Sequence, residues 1–205
     1  HTPIEISQLC YDKINTRKFL KKYFIQPKSF FIKDYDYLKK KTKLLKSDYV
    51  LKHLNLSGSK GFHEFRYDDI LTNSQFEKNI KKYPLSKGIL IEEKLKKNQK
   101  LLFSEMSAES IWQNGKIIFF NCVDRIFPRD IKNLSSKKYQ NLKNFLIDSN
   151  GFEIGHINPS TLNSRVIKDI KKLIFIVGSK LGYGRLKGCH VLKLDIFFSE
   201  KGPVI

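Results

Sequence analysis

The sequence predicts an α+β chain in which mainly antiparallel sheets are flanked by helices. Three observations lead there. Asn114-Gly115, a dipeptide strongly favoured in two-residue hairpin turns, is flanked by two stretches that read as strands, 103–112 and 116–124. Residues 161–181 carry Val166, Ile170, Leu173, Ile174 and Val177 at helical spacing, which puts all five on one face. The other segments mix further helices with short strands, most joined as hairpins, which is the α+β pattern.

Taken in order, residues 12–23 read as a helix, with Asp12 placed to cap its start, Lys21 and Lys22 at its end, and Pro27 beyond. A strand over 29–32 and a helix over 35–45 follow, then a second strand over 48–54. That strand runs into Asn55-Leu56-Ser57-Gly58-Ser59-Lys60-Gly61, a loop with two glycines and two serines. Residues 72–83 return to helical spacing, and 88–92 form an apolar strand after Pro84. The hairpin comes next, then a polar stretch over 130–148 read as loop with some helix. Residues 152–157, the helix over 161–181, a strand over 191–198 and a turn at 200–202 complete the chain. Pro203-Val204-Ile205 reads as the opening of a further strand, so a truncation or a missing remainder is expected there. The expected division is a small lobe over about 30–95 and a second lobe over 96–205 that also takes the N-terminal helix.

Charge separates the functional classes. The 205 residues hold 39 Lys and Arg against 20 Asp and Glu, a formal net charge of +19. A basic surface can bind nucleic acid by releasing phosphate counterions. Here, however, the lysines are spread through every segment, from 39–41 and 81–82 to 137–138 and 171–172, and no nucleic-acid motif lies among them. The charge therefore reads mostly as composition, nucleic acid is not expected as a specific partner, and a non-enzymatic basic nucleic-acid-binding module stays as the alternative function. No apolar run approaches the ~18 residues of a membrane helix, so no membrane partner is expected. Cys10, Cys122 and Cys189 are far apart and make no metal-ligand spacing, which suits free thiols in a reducing cytoplasm. The chain begins at His1 rather than Met, so targeting is not read from it.

The stretch 48–62 is the most informative chemically. A strand carrying Lys52 leads to the Ser57, Gly58, Ser59 and Gly61 loop, whose backbone N–H groups can approach a phosphate closely. A lysine in an apolar strand is costly unless it is paired or functional. The order is not that of a Walker loop. Lys13 opens a helix upstream. Ile89-Leu90-Ile91 breaks into Glu92-Glu93-Lys94-Leu95, and Glu105-Met106-Ser107-Ala108-Glu109 opens the hairpin. Lys193-Leu194-Asp195 lies on the last full strand, where an acid among apolar neighbours calls for a partner or a metal. Arg125 and Arg185 are anion-ligand candidates or surface charges.

In this order and spacing the features resemble the ATP-grasp superfamily, over nearly the whole chain. The resemblance implies two lobes with the nucleotide between them, and ATP and Mg2+ as cofactors. Lys13 matches the lysine of the family's opening Asp-Lys helix, and Lys52 the lysine before the glycine-rich loop, here Ser57 to Gly61. His53 stands where the family usually has proline. Glu92, Glu93, Lys94 and Leu95 match the adenine hinge, and Glu105 the ribose carboxylate, although the segment between them is longer than the family's. Asp195 matches the first magnesium ligand. The Glu-x-Ser-x-Glu arrangement and residues 152–160 are similar to the subgroup related to the large carbamoyl phosphate synthetase subunit. The implied activity is activation of a small-molecule carboxylate as an acyl-phosphate for attack by an amine, a cytoplasmic ligase chemistry. The other metal ligands are expected after Ile205, so a chain ending there is expected to bind nucleotide without turning it over.

Overall fold

The structure is a computed structural model that describes residues 2–54, 62–67, 88–131 and 153–205. It divides into two compact units, Leu9–Lys96 and His1–Gln8 with Lys97–Ile205. The short helix α1 (Ile4–Tyr11) spans the first boundary and buries none of its residues. The predicted N-terminal helix lies wholly in the Leu9–Lys96 unit, whereas the sequence reading grouped it with the other lobe.

In the Leu9–Lys96 unit, α2 (Lys13–Leu20) starts at Asp12, whose carboxylate accepts the Ile14 and Asn15 amides at 2.8 and 3.0 Å. The strands β1 (Ser29–Ile32), β2 (Tyr49–His53), β3 (Phe62–Phe65) and β4 (Ile89–Glu93) form one antiparallel sheet in the order β1-β4-β2-β3. Strand parity sorts their side chains. Ile32, Tyr49, Leu51, Ile89 and Ile91 form a core with Leu38 of α3 (Tyr35–Leu45). Val50, Lys52, Leu90 and Glu92 point the other way. Asp34 caps α3 through the Tyr37 amide, and Lys46 closes it in the left-handed conformation. Several lysines of this unit rest on aromatic rings: Lys41 Nζ lies 5.2 Å from the Phe30 centroid and 4.9 Å from that of Tyr37, and Lys33 5.5 Å from Phe31.

In the other unit, β5 (Glu105–Gln113), β6 (Lys116–Ile126), β7 (Gly155–Ile157), β8 (Cys189–Ser199) and β9 (Gly202–Val204) build an antiparallel sheet ordered β7-β6-β5-β8-β9. Asn114 and Gly115 both take positive φ, 49° and 81°, as the primed hairpin turn requires. The turn is held from outside, because Asn114 accepts the Gly188 amide at 2.9 Å and donates its own to the Gly188 carbonyl at 3.0 Å. Even positions of β5, among them Met106, Ala108, Ser110 and Trp112, are buried. They face α4 (Ser164–Lys180), whose buried residues are Ile170, Ile174, Val177 and Gly178. Asn163 caps α4 through the Val166 amide. The Trp112 indole donates to Ser110 Oγ at 2.9 Å and lies 6.0 Å from the Phe175 ring and 5.6 Å from that of Tyr183.

The 72–83 helix, the Ser57–Gly61 loop and most of the 130–148 stretch lie outside the described residues, apart from a helical turn over Pro128–Ile131. No described helix is long and apolar enough to cross a membrane. The three cysteines are free thiols.

Gly178 tests the packing of α4. A Cβ there would come within 2.3 Å of the Trp112 ring. Helix propensity favours Gly178→Ala by about 1 kcal/mol, but overpacking opposes it by ~1–3 kcal/mol. The expected outcome in urea denaturation is a net loss of stability, whereas an exposed helix glycine would show a gain.

Candidate functional site

Two charged clusters stand out, one in each unit. In the Leu9–Lys96 unit the centre is Glu92, 1% exposed on β4. The register pairs Val50 with Glu92 and Lys52 with Leu90, so Lys52 and Glu92 are diagonal neighbours on one face. Lys52 Nζ donates to Glu92 Oε2 at 2.5 Å. From α2, Arg17 Nε donates to Glu92 Oε1 at 2.5 Å and Nη2 to Oε2 at 3.3 Å. The guanidinium's remaining edge is used as well, Nη1 donating to Gln26 Oε1 at 2.6 Å. Lys13, one helical turn before Arg17, donates from Nζ to the carbonyls of His53 and Leu54 at 3.3 and 3.4 Å, directly before residues 55–61. Lys13, Arg17 and the buried Leu20 follow the i, i+4, i+7 spacing of one helix face.

The electrostatics follow from this geometry. Burial pushes the Glu92 carboxyl up, but Lys52 and Arg17 outweigh it and hold the group below its ordinary value, ionised and paired. Burial and the neighbouring Lys52 push Lys13 down, and Glu92 pulls it partly back. Three cations around one carboxylate leave an excess of positive charge, a setting that suits a multiply charged anion.

Residues 93–95, next to this cluster, have structural partners. The Glu93 amide donates to Lys28 O and that of Lys94 to Asp48 O, both at 2.8 Å. The Lys94 ammonium meets Glu64 at 2.6 Å, and Leu95 follows the strand, partly buried.

The second cluster has the opposite composition. Glu105, Ser107 and Glu109 occupy odd positions on β5, with Arg125, Val123 and Asn121 opposite on β6, and Phe197, Asp195 and Lys193 opposite on β8. Arg125 gathers three carboxylates: Glu153 at 3.0 Å, Asp195 at 3.2 Å and Glu105 at 3.5 Å. Ser107 Oγ donates to the other Asp195 oxygen at 2.8 Å. His156, opposite Arg125 on β7, pairs with Glu153. The buried Asp124 secures the chain beyond β7, accepting the Thr161 amide and hydroxyl, both at 2.7 Å, and the Ser160 hydroxyl. Burial and Asp124 together push the Cys122 thiol up to about 12, which rules it out as a nucleophile. Among the described residues, no three His, Cys, Asp or Glu side chains are arranged to hold a metal ion.

Scanned against protein-family models the sequence matches none, and no curated protein matches it. Solved structures do match by shape. D-alanyl-alanine synthetase A from Vibrio cholerae superposes with a TM-score of 0.65 at 15% identity, over 97% of this chain and 54% of that one. The biotin carboxylase domain of Hydrogenobacter thermophilus 2-oxoglutarate carboxylase, solved with MgADP and bicarbonate, gives 0.64 at 14% identity, covering 97% and 39%. N5-carboxyaminoimidazole synthetase from Staphylococcus aureus, complexed with ADP, gives 0.63 at 14% identity, covering 95% and 43%. The chain has the ATP-grasp fold. It spans about half, or less, of the length of these ATP-grasp proteins.

Of the residues picked out for the ATP-grasp resemblance, Lys13, Lys52 and Glu92 belong to one cluster, and Glu105 and Asp195 to the other. Ser57, Gly58, Ser59 and Gly61 lie outside the described residues. Sequence reasoning missed Arg17 and Gln26, and took Glu153 only as part of the 152–160 segment. The i, i+4 relation of Lys13 and Arg17 was a usable signal for the first, whereas Gln26 carries no local pattern that marks it.

His53 yields a pH test. Its imidazole, 4% exposed, is pushed down to about 4 by burial and by His63 on the neighbouring strand. The unfolded chain takes up this proton near pH ~6.5. The stabilisation is therefore complete above that pH and is lost as pH falls toward the folded value. Urea midpoints measured from pH ~7.5 to ~5 should fall for the native protein and fall less for His53→Gln. Parallel profiles would contradict a buried, neutral His53.

Proposed function

We propose that this chain is the nucleotide-binding part of an ATP-grasp ligase that activates a carboxylate as an acyl-phosphate for attack by an amine or similar nucleophile. The observation that carries the reading is the Lys13, Arg17, Lys52 and Glu92 cluster, which holds two part-buried lysines, one donating to the His53 and Leu54 carbonyls and the other to Glu92. The solved structures of like shape, two synthetases and a biotin carboxylase domain, two of the three with ADP bound, support it as analogy.

In this reading Lys13 and Lys52 neutralise the nucleotide's phosphates, and the Ser57, Gly58, Ser59 and Gly61 backbone closes over them. The 93–95 backbone reads the adenine, and Glu92 acts on the nucleotide only through Lys52. A substrate carboxylate oxygen attacks the γ-phosphorus as the bond to ADP breaks. The amine then adds to the acyl carbon, phosphate leaves and the amine's proton is lost. The preorganised lysines lower the first barrier by balancing charge that spreads over the phosphoryl oxygens.

A divalent cation such as Mg2+ fits the described residues only in part. Asp195 would meet it, but it already contacts Arg125, and among the described residues no three His, Cys, Asp or Glu side chains gather to hold a metal. Bound, the cation would offset phosphate charge.

The test is ATP binding to the whole protein by calorimetry and thermal shift. Lys52→Ala removes a charge-assisted contact of ~1.5–3 kcal/mol, so the ATP Kd should rise about 10- to 100-fold and most of the ATP-induced Tm gain should vanish. Equal binding by both proteins would remove Lys52 from the site.

A further inference from the structure

The reading above gives Arg17 no contact with the ligand, yet its Nε lies 2.5 Å from the buried carboxylate at the centre of the cation cluster, as close as Lys52. Its guanidinium cannot serve as an anion ligand in this arrangement. Nε and Nη2 are committed to Glu92 and Nη1 to Gln26, and its side chain is only 21% exposed. Lys52 differs: its ammonium donates to Glu92 Oε2, and its side chain is 28% exposed.

The consequence lies in how one negative charge is divided. If Glu92 faced Lys52 alone, the two would form a neutral pair, and an incoming phosphate would have to compete with a buried carboxylate at 2.5 Å. Arg17 holds both oxygens of that carboxylate and shares Oε2 with the lysine. Glu92 is thereby compensated from the helix side, and the ammonium keeps charge to offer outward. Lys13 adds a further cation within electrostatic range of Lys52. The three cations against one carboxylate leave two net positive charges; without Arg17 one would remain.

We propose that Arg17 is a positioning residue which, by compensating Glu92, leaves Lys52 available to a polyphosphate anion. The proposal rests on the nucleotide reading of this cluster, and it concerns the phosphate end of the ligand alone. It assigns opposite signs to two neighbouring substitutions. Arg17→Gln takes a positive charge away and lets Glu92 neutralise Lys52. Glu92→Gln takes the negative charge away and frees Lys52. Arg17→Lys keeps the charge.

Calorimetry on the full chain with inorganic tripolyphosphate, which has no base or sugar, and in parallel with adenosine, which has no phosphate, reads these effects separately. Loss of one unit charge several ångströms from a bound polyanion corresponds to roughly a tenfold change in Kd at moderate salt. Arg17→Gln should therefore weaken tripolyphosphate about tenfold and leave adenosine unchanged. Arg17→Lys should restore most of the affinity. Glu92→Gln should bind tripolyphosphate at least as tightly as the native protein, even where its urea midpoint falls. A purely structural role for the pair predicts instead that Arg17→Gln and Glu92→Gln weaken tripolyphosphate and adenosine alike, and that outcome overturns the proposal. So does unchanged tripolyphosphate affinity in Arg17→Gln, or an Arg17→Lys variant as weak as Arg17→Gln. Failure of the native protein to bind tripolyphosphate, adenosine or ATP would remove the nucleotide reading itself. Nucleotide binding without these charge effects would remove only the part given to Arg17.

Discussion

A single buried carboxylate governs the Leu9–Lys96 unit. Glu92 sits on a strand whose preceding residues are all apolar and buried, and an ion there is tolerable only if its charge is met nearby. Two cations meet it, from different elements: Lys52 on the adjacent strand and Arg17 on α2. The requirement ties the helix to the sheet at a fixed register. Because Lys13 is one turn before Arg17, the same tie brings it to the His53 and Leu54 carbonyls. The chemistry proposed for the lysines thus depends on an interaction that touches no ligand.

The other unit solves the same problem with signs exchanged. There one guanidinium, Arg125, compensates Glu105, Glu153 and Asp195. Both arrangements keep like charges close together by means of a shared counter-ion, which holds them where an oppositely charged ligand could use them. Asp195 remains 53% exposed, and its second oxygen is already oriented by Ser107.

What the sequence disclosed and what it withheld follow one physical division. The hairpin at Asn114-Gly115, the cap at Asp12, α3 and the amphipathic α4 were legible because turn chemistry, capping and periodicity are local. The lysines of the first cluster were legible through order and spacing. The partner of Glu92 was not, since 75 residues separate it from Arg17. The three-carboxylate arrangement around Arg125 was equally hidden, because it depends on pairing among β5, β6, β7 and β8. The lysine excess, read from the sequence as composition, acquires a partial physical use on the rings of Phe30, Phe31 and Tyr37.

The parity of β5 reaches beyond this one chain. Its odd positions carry Glu105, Ser107 and Glu109 to the polar face, while its even positions carry Met106, Ala108 and Trp112 into the core. One end is pinned by the Asn114-Gly115 turn and the other by the contact of Glu105 with Arg125. A single inserted or deleted residue between those pins would exchange the two faces, burying acids and exposing a tryptophan. Substitutions can therefore accumulate along the strand one at a time, while changes in its length meet a barrier. A strand held in this way can change its spelling while keeping its shape.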